Sequence, residues 1–204
     1  MTAITLSTGA LRAALLYAGD RDVRDYLNGI HLLPRPSGIY LEATDGHRMI
    51  QIRGACDGHV TAPVILHRDE LERACKLAGK TTTVALSIDG SDASITVAGI
   101  TVPQTIVAGT FPDAALYFEP GTAVDPLAGL SFNGDYLADI GKTAKALGLK
   151  YSTVRLDGER NGALYASIAA QGIRAGIVLM GIRVDDTDAD ARGYWHAEAL
   201  ERAA

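Results

Sequence analysis

Ala43-Thr44-Asp45-Gly46-His47-Arg48-Met49 lies between two strand-like runs, Ile39-Tyr40-Leu41-Glu42 and Met49-Ile50-Gln51-Ile52. The string reads as a turn between paired strands. Gly46 permits a close backbone approach there. Two further strings flank it in order. Upstream is Asp22-Val23-Arg24-Asp25-Tyr26-Leu27-Asn28-Gly29, and downstream is Gly109-Thr110-Phe111-Pro112-Asp113. Each alone is a weak signal; the ordered set is a strong one.

Working outward, a repeat emerges. Three apolar-patterned helices are expected over Leu11 to Gly19, Leu71 to Gly79 and Tyr136 to Gly148, each ending on the glycine that commonly stops a helix. A short strand-like run precedes each: Ala3 to Leu6, Val60 to Leu66 and Leu127 to Phe132. Strand-like runs also follow each. After the first come Gly29 to Leu33, Ile39 to Glu42 and Met49 to Ile52. After the second come Thr83 to Ile88, Ala93 to Val97 and Ile100 to Val107. After the third come Ser152 to Leu156, Ala163 to Ile168 and Ile173 to Val184. The pattern is β-α-β-β-β three times over, with a loose period of about 60–70 residues. Asp69-Glu70-Leu71-Glu72 suits a capping box and Asn133 an N-cap. Gly121 to Pro126 reads as a linker, and the acidic run Asp185-Asp186-Thr187-Asp188-Ala189-Asp190 precedes a short helix-like stretch around Trp195.

Bulk properties fit a globular protein. The 204 residues are 48% hydrophobic and 21% charged, with net charge −5. No apolar run is long enough for a membrane helix, and the opening residues do not read as a secretion signal, so a cytoplasmic location is expected. Cys56 and Cys75 show no metal spacing and are expected to be reduced, buried thiols. The acidic net charge speaks against nucleic-acid binding only globally, because DNA feels the local field. That local field is basic on two helices. At about 100° per residue, Leu71, Ala74, Cys75 and Ala78 share one side of the second helix, opposite Arg73, Lys76 and Lys80. In the third, Tyr136, Ile140, Ala144 and Leu147 lie opposite Lys142 and Lys145. Such faces suit phosphate neutralisation without sequence readout. The first helix offers only Arg12, on its flank.

The three strings together resemble the middle domain of the bacterial DNA polymerase III beta subunit, the sliding clamp. The resemblance implies an α+β DNA-clamp fold of three β-α-β-β-β units, where a family protomer has six. Residues 1–121 would form a complete clamp domain. Residues 122–184 would form a half domain like the end of the family's last domain, with Val178-Leu179-Met180-Gly181-Ile182-Arg183-Val184 as the closing strand. Residues 185–204 would be an acidic tail. It implies that Arg24 and Tyr26 touch DNA. It also implies an apolar pocket for partner peptides lined by Leu27, Thr44, Gly46, His47, Met49, Pro112, Met180 and Ile182, with Arg48 and His47 giving polar contacts at the edge. The implied partners are double-stranded DNA, a DNA polymerase and a clamp loader, and the implied assembly is a homo-oligomer. Four copies would supply the twelve units of a family ring. The chain departs from the family where Ala114-Ala115-Leu116-Tyr117 follows Phe-Pro-Asp in place of an aromatic and two basic residues, and where Gly181 replaces a proline.

Enzymatic chemistry is not expected. His47 and Asp45 share a turn without a nucleophile motif. His59 and His67 lack zinc spacing. The calcium-loop mimic at Asp186, Asp188 and Asp190 has Ala191 and Ala197 at the glycine and glutamate positions. No cofactor or metal is expected. The main alternative to a ring is a non-encircling module that competes for clamp partners or modulates a host clamp.

Overall fold

The computed structural model describes residues 2–118, 131–160 and 162–182. The expected linker, the acidic run, the Trp195 stretch and most of the expected strand at Leu127 to Phe132 lie outside the described residues. Strand β1 (Thr2–Ser7) leads into helix α1 (Thr8–Leu15), and β2 (Gly29–Arg35), β3 (Gly38–Thr44), β4 (Arg48–Arg53) and the short β5 (Cys56–Gly58) follow. The second unit is β6 (Val64–His67), α2 (Arg68–Ala78), β7 (Thr83–Asp89), β8 (Asp92–Val97) and β9 (Ile100–Gln104). The one-turn helix α3 (Ala115–Phe118) comes next. The third unit contributes α4 (Gly134–Ala146), β10 (Arg155–Arg160), β11 (Ala163–Ala170) and β12 (Ile173–Met180).

The helices begin where local chemistry allows. Ser7 Oγ accepts from Ala10 N–H and starts α1 one turn earlier than its apolar pattern suggests. Asn133 caps α4, accepting from Asp135 N–H at 2.9 Å. The expected capping box at Asp69–Glu72 is corrected. The cap of α2 is His67, whose Nδ1 accepts from Asp69 N–H at 3.3 Å, so Asp69 and Glu70 sit in the first turn facing the helix dipole. Gly79 ends α2 at φ +53°. Four expected strands differ: Val60 to Leu66 begins only at Val64, Ile100 to Val107 stops at Gln104, Ser152 to Leu156 begins only at Arg155, and Ile173 to Val184 ends as a continuous strand at Met180.

The sheets are not built one per unit. The first two units exchange their opening strands. Strand β1 pairs with β7 in a five-stranded antiparallel sheet ordered β5-β1-β7-β8-β9. Strand β6 pairs with β2 in a seven-stranded sheet ordered β10-β11-β12-β4-β3-β2-β6. The third unit joins that second sheet through antiparallel pairing of β12 with β4. One apolar core lies between the sheets and the helices. Leu6, Leu32, Leu41, Ile50, Ile52 and Leu71 are fully buried in it, and truncating any of them to alanine costs about 2–5 kcal/mol. Helix α1 lies between α2 and α4. Its approach to α4 is close: a Cβ on Gly9 would stand 2.3 Å from the Ala146 carbonyl oxygen. Cys56 and Cys75 are free thiols, and burial pushes them up to about 12 and about 11.

Candidate peptide pocket and basic helix face

The turn between β3 and β4 is fixed by its own polar groups. Thr44 Oγ1 donates to the Arg48 carbonyl (2.7 Å) and accepts from Gly46 N–H (3.0 Å). Asp45 Oδ1 accepts from the backbone N–H groups of His47 and Arg48 (2.9 and 3.1 Å), the side-chain-to-backbone bonding that makes aspartate a turn former. Gly46 has φ +91°, and a Cβ there would lie 2.9 Å from an Arg24 guanidinium nitrogen. Asp45 is therefore committed to the turn and to Arg48, not to the His47 ring.

Alternation along the strands sends successive side chains to opposite faces. On β4, Ile50 and Ile52 face the helices while Met49 turns away from them. Strand β12 brings Val178 beside Met49, and Met180 N–H donates to the His47 carbonyl at 2.8 Å. The segment after β9 crosses this outer face. Its Phe111 packs on Met49, Ile65 and Ala114 and stacks on His31, with ring centroids 4.7 Å apart. Beneath that ring, the buried Glu42 accepts from His31 Nδ1 (2.9 Å) and Gln51 Nε2 (2.8 Å). These elements enclose a cavity of about 100 Å³ lined by Thr44, Gly46, His47, Arg48, Met49, Pro112, Tyr117, Val178 and Met180. Its lining is largely apolar, and Met180 stands 43% exposed at its mouth.

Of the residues carried over to a pocket, Thr44, Gly46, His47, Met49, Pro112 and Met180 come together here. Leu27 does not: it is buried at 1% exposure and absent from the lining. Ile182 lies outside too, exposed and bridged to Ser131. Val178 and Tyr117 were missed. Val178 was available by alternation with Met180. Tyr117 had no such signal, because it occupies the stretch that departs from the family pattern.

Arg48 borders the cavity, but its guanidinium is not the polar contact expected at the edge. Its guanidinium points through to the helix side and is 10% exposed. There it donates to Asp45 Oδ2 (2.9 Å), Asp139 Oδ2 (2.5 Å) and the Leu16 carbonyl (2.6 Å). It also stacks over the Tyr136 ring at 4.1 Å and approaches Tyr17 at 5.1 Å. Burial alone would push the Asp139 carboxyl up. The bonds from Lys142 and Arg48 outweigh it and hold that carboxyl below its ordinary value. Burial pushes the Tyr17 hydroxyl up to about 12.

On the helices, the buried side of α2 is Leu71, Ala74, Cys75 and Ala78, as the periodicity predicts. Arg73, Lys76, Lys80, Lys142 and Lys145 are exposed. Three of these are engaged with carboxylates of their own helix: Arg73 with Glu70 (3.3 Å), Lys76 with Glu72 (3.8 Å) and Lys142 with Asp139 (2.7 Å). Arg12 is not available at all. Its guanidinium donates to the carbonyls of Cys75 and Gly79, closing the C-terminus of α2. Arg24 and Tyr26 lie away from this face. Arg24 pairs with Asp22 over the Gly46 turn, which holds the Asp22 carboxyl down at about 2. Tyr26 packs beside Phe111 and against Gly109.

No protein-family model matches the sequence, and no curated protein matches it. Solved structures do. A DNA polymerase sliding clamp from Pseudomonas aeruginosa with ligand superposes with TM-score 0.67 at 18% identity, over 90% of this chain and 67% of that one. A sliding clamp from Caulobacter crescentus gives 0.66 at 17% identity, over 89% and 65%. The DNA polymerase III beta subunit of Thermotoga maritima gives 0.58 at 11% identity, over 91% and 65%. The fold is therefore that of a DNA clamp, as the three strings imply. More narrowly, it is the fold of the bacterial polymerase III beta subunit, and the chain spans about two thirds of those clamps.

Proposed function

We propose that this chain is a sliding-clamp-like processivity factor that encircles duplex DNA and takes partner peptides in the Met180 cavity. The supporting observation is the two-faced seven-stranded sheet. One face backs helices whose lysines point away from the core, and the other carries an apolar cavity built from distant segments. Lysines in that arrangement neutralise phosphates without reading sequence. An apolar cavity rimmed by Met180 and Tyr117 suits an aliphatic or aromatic anchor from a short peptide of a DNA polymerase or clamp loader. The reading assigns no chemistry, cofactor or metal to the chain, and it places the protein in the cytoplasm.

The ring is a homo-oligomer in this reading. Four copies supply twelve units, and D2 symmetry lets each third unit meet its own counterpart. The test is loader-dependent retention on DNA. Retention on nicked circular DNA with loss from linear DNA is expected; equal retention on both overturns encirclement. Light scattering that finds only monomer at micromolar concentration overturns the tetramer.

The second reading, a non-encircling module that competes for clamp partners, is favoured by one observation. Helix α1 lies centrally in the row, yet its Arg12 is spent on the α2 terminus. Under that reading the peptide cavity binds and DNA retention fails.

A further inference from the structure

A second concavity, of about 720 Å³, opens on the seven-stranded sheet. Arg53, Arg155 and Arg174 line it together with Phe118, Leu149 and Ser167. Arg174 and Arg53 are direct cross-strand partners on β12 and β4. Like charges placed opposite each other are unfavourable by themselves, and among the described residues neither guanidinium joins an ion pair. Arg155 is bound to Asp157 at 2.7 Å. The groove also has a free edge. Pairing of β10 with β11 begins only at Arg155 and Ser167, so among the described residues no strand covers Ile168 to Ala170 on that side. Gly176 makes room for Phe118 as a wall, because a Cβ there would lie 2.9 Å from the ring. An arginine pair, an aromatic wall and an open strand edge suit an extended, acidic peptide carrying aromatic residues.

We propose that this groove takes the acidic–aromatic segment Asp185–Trp195 of a second copy of the chain. The segment offers Asp185, Asp186, Asp188 and Asp190, then Tyr194 and Trp195. Reach decides the source. The path from Ile182 back to Arg174 retraces the length of β12, and an extended chain gains only about 3.3–3.6 Å per residue. A segment from the same copy brings only residues from about Asp190 onward to the arginines. A second copy can set the whole acidic run against them. This inference does not depend on the chain encircling DNA.

The probe is a fluorescein-labelled peptide of residues 183–196, titrated into the full-length D185N/D186N/D188N/D190N variant, whose own segment no longer competes. Saturable binding is expected. R53Q/R174Q added to that variant should weaken it at least about tenfold. Raising NaCl from about 50 mM to about 500 mM should weaken it as well. If the double arginine change prevents folding, A169E on the exposed groove wall supplies the same repulsion in a folded chain. Absence of binding overturns the proposal; it is the result expected if a carboxylate of residues 119–130 already holds the arginines. Unchanged binding in both groove variants overturns it too. Displacement of the peptide by a DNA duplex would make this a nucleic-acid site. Hydrogen exchange on the unmodified chain separates the sources. Protection of residues 185–190 that fades on dilution supports a second copy, and protection independent of concentration overturns it.

Discussion

Arg48 donates to Asp139 across the junction of the first and third units, at 2.5 Å. The same guanidinium holds Asp45 and the Leu16 carbonyl, so one side chain ties the cavity turn, helix α1 and helix α4 together. Asp139 in turn accepts from the exposed Lys142 at 2.7 Å.

Arg48→Ala should destabilise the fold by about 3–5 kcal/mol, because it leaves two carboxylates without their buried cation. Arg48→Lys should recover only part of this, since an ammonium cannot span three acceptors in the planar geometry of a guanidinium. Urea unfolding of the two variants measures both.

Asp139 makes stability depend on acid. Its folded-state carboxyl titrates below the unfolded value, so the native state binds fewer protons there. The stabilisation is full above about pH 4 and is lost as pH falls through the folded value. Asp139→Asn should lower stability at neutral pH by about 2 kcal/mol and flatten the acid limb. Thermal melts from about pH 7 down to about pH 3 check the sign.

Met180→Ala should separate binding from folding. The side chain is 43% exposed, so the melting temperature should hardly move. Affinity for an aliphatic–aromatic peptide should fall about tenfold, as for a rim anchor worth about 1.4 kcal/mol. Met49→Ala should weaken both, because Met49 is buried beneath Phe111. Fluorescence anisotropy beside a thermal melt distinguishes the two outcomes.

Gly46→Ala should cost about 1–3 kcal/mol, since alanine must adopt φ near +91° and displace the Arg24 guanidinium. The Arg24–Asp22 pair should be disturbed with it. An upward shift of the Asp22 carboxyl from about 2, followed by NMR, reports that disturbance.

Lys80→Ala and Lys145→Ala should weaken DNA binding uniformly across sequences. Each should reduce the slope of log affinity against log salt by about 1. Lys142→Ala should do less to that slope, because Lys142 already neutralises Asp139. Affinities measured at several salt concentrations rank the three.

Local signals were legible and long-range ones were not. The buried side of α2, the Asn133 cap and the stop at Gly79 follow from periodicity and capping, which involve neighbours in the chain. The pocket membership of Met180 was legible only through family resemblance, because nothing local states that β12 pairs with β4. The role of Arg48 was misjudged for a related reason. Alternation with Ile50 and Ile52 already assigns it to the helix side, but the carboxylate that holds it there, Asp139, arrives from far along the chain and has no local signal. His67 as the cap of α2 was hidden by the stronger-looking Asp69. Leu27 has the apolar character of a pocket residue, and the packing that buries it is invisible from sequence.

The traded opening strands of the first two units bear on how the protein comes apart. Pulling β1 out of the five-stranded sheet strips one of the two partners of β7, and pulling β6 out bares one edge of β2. The halves are thereby mortised, so a cut in the connection between β5 and β6 yields no fragment that retains an intact layer. Melting should run as one concerted event across both.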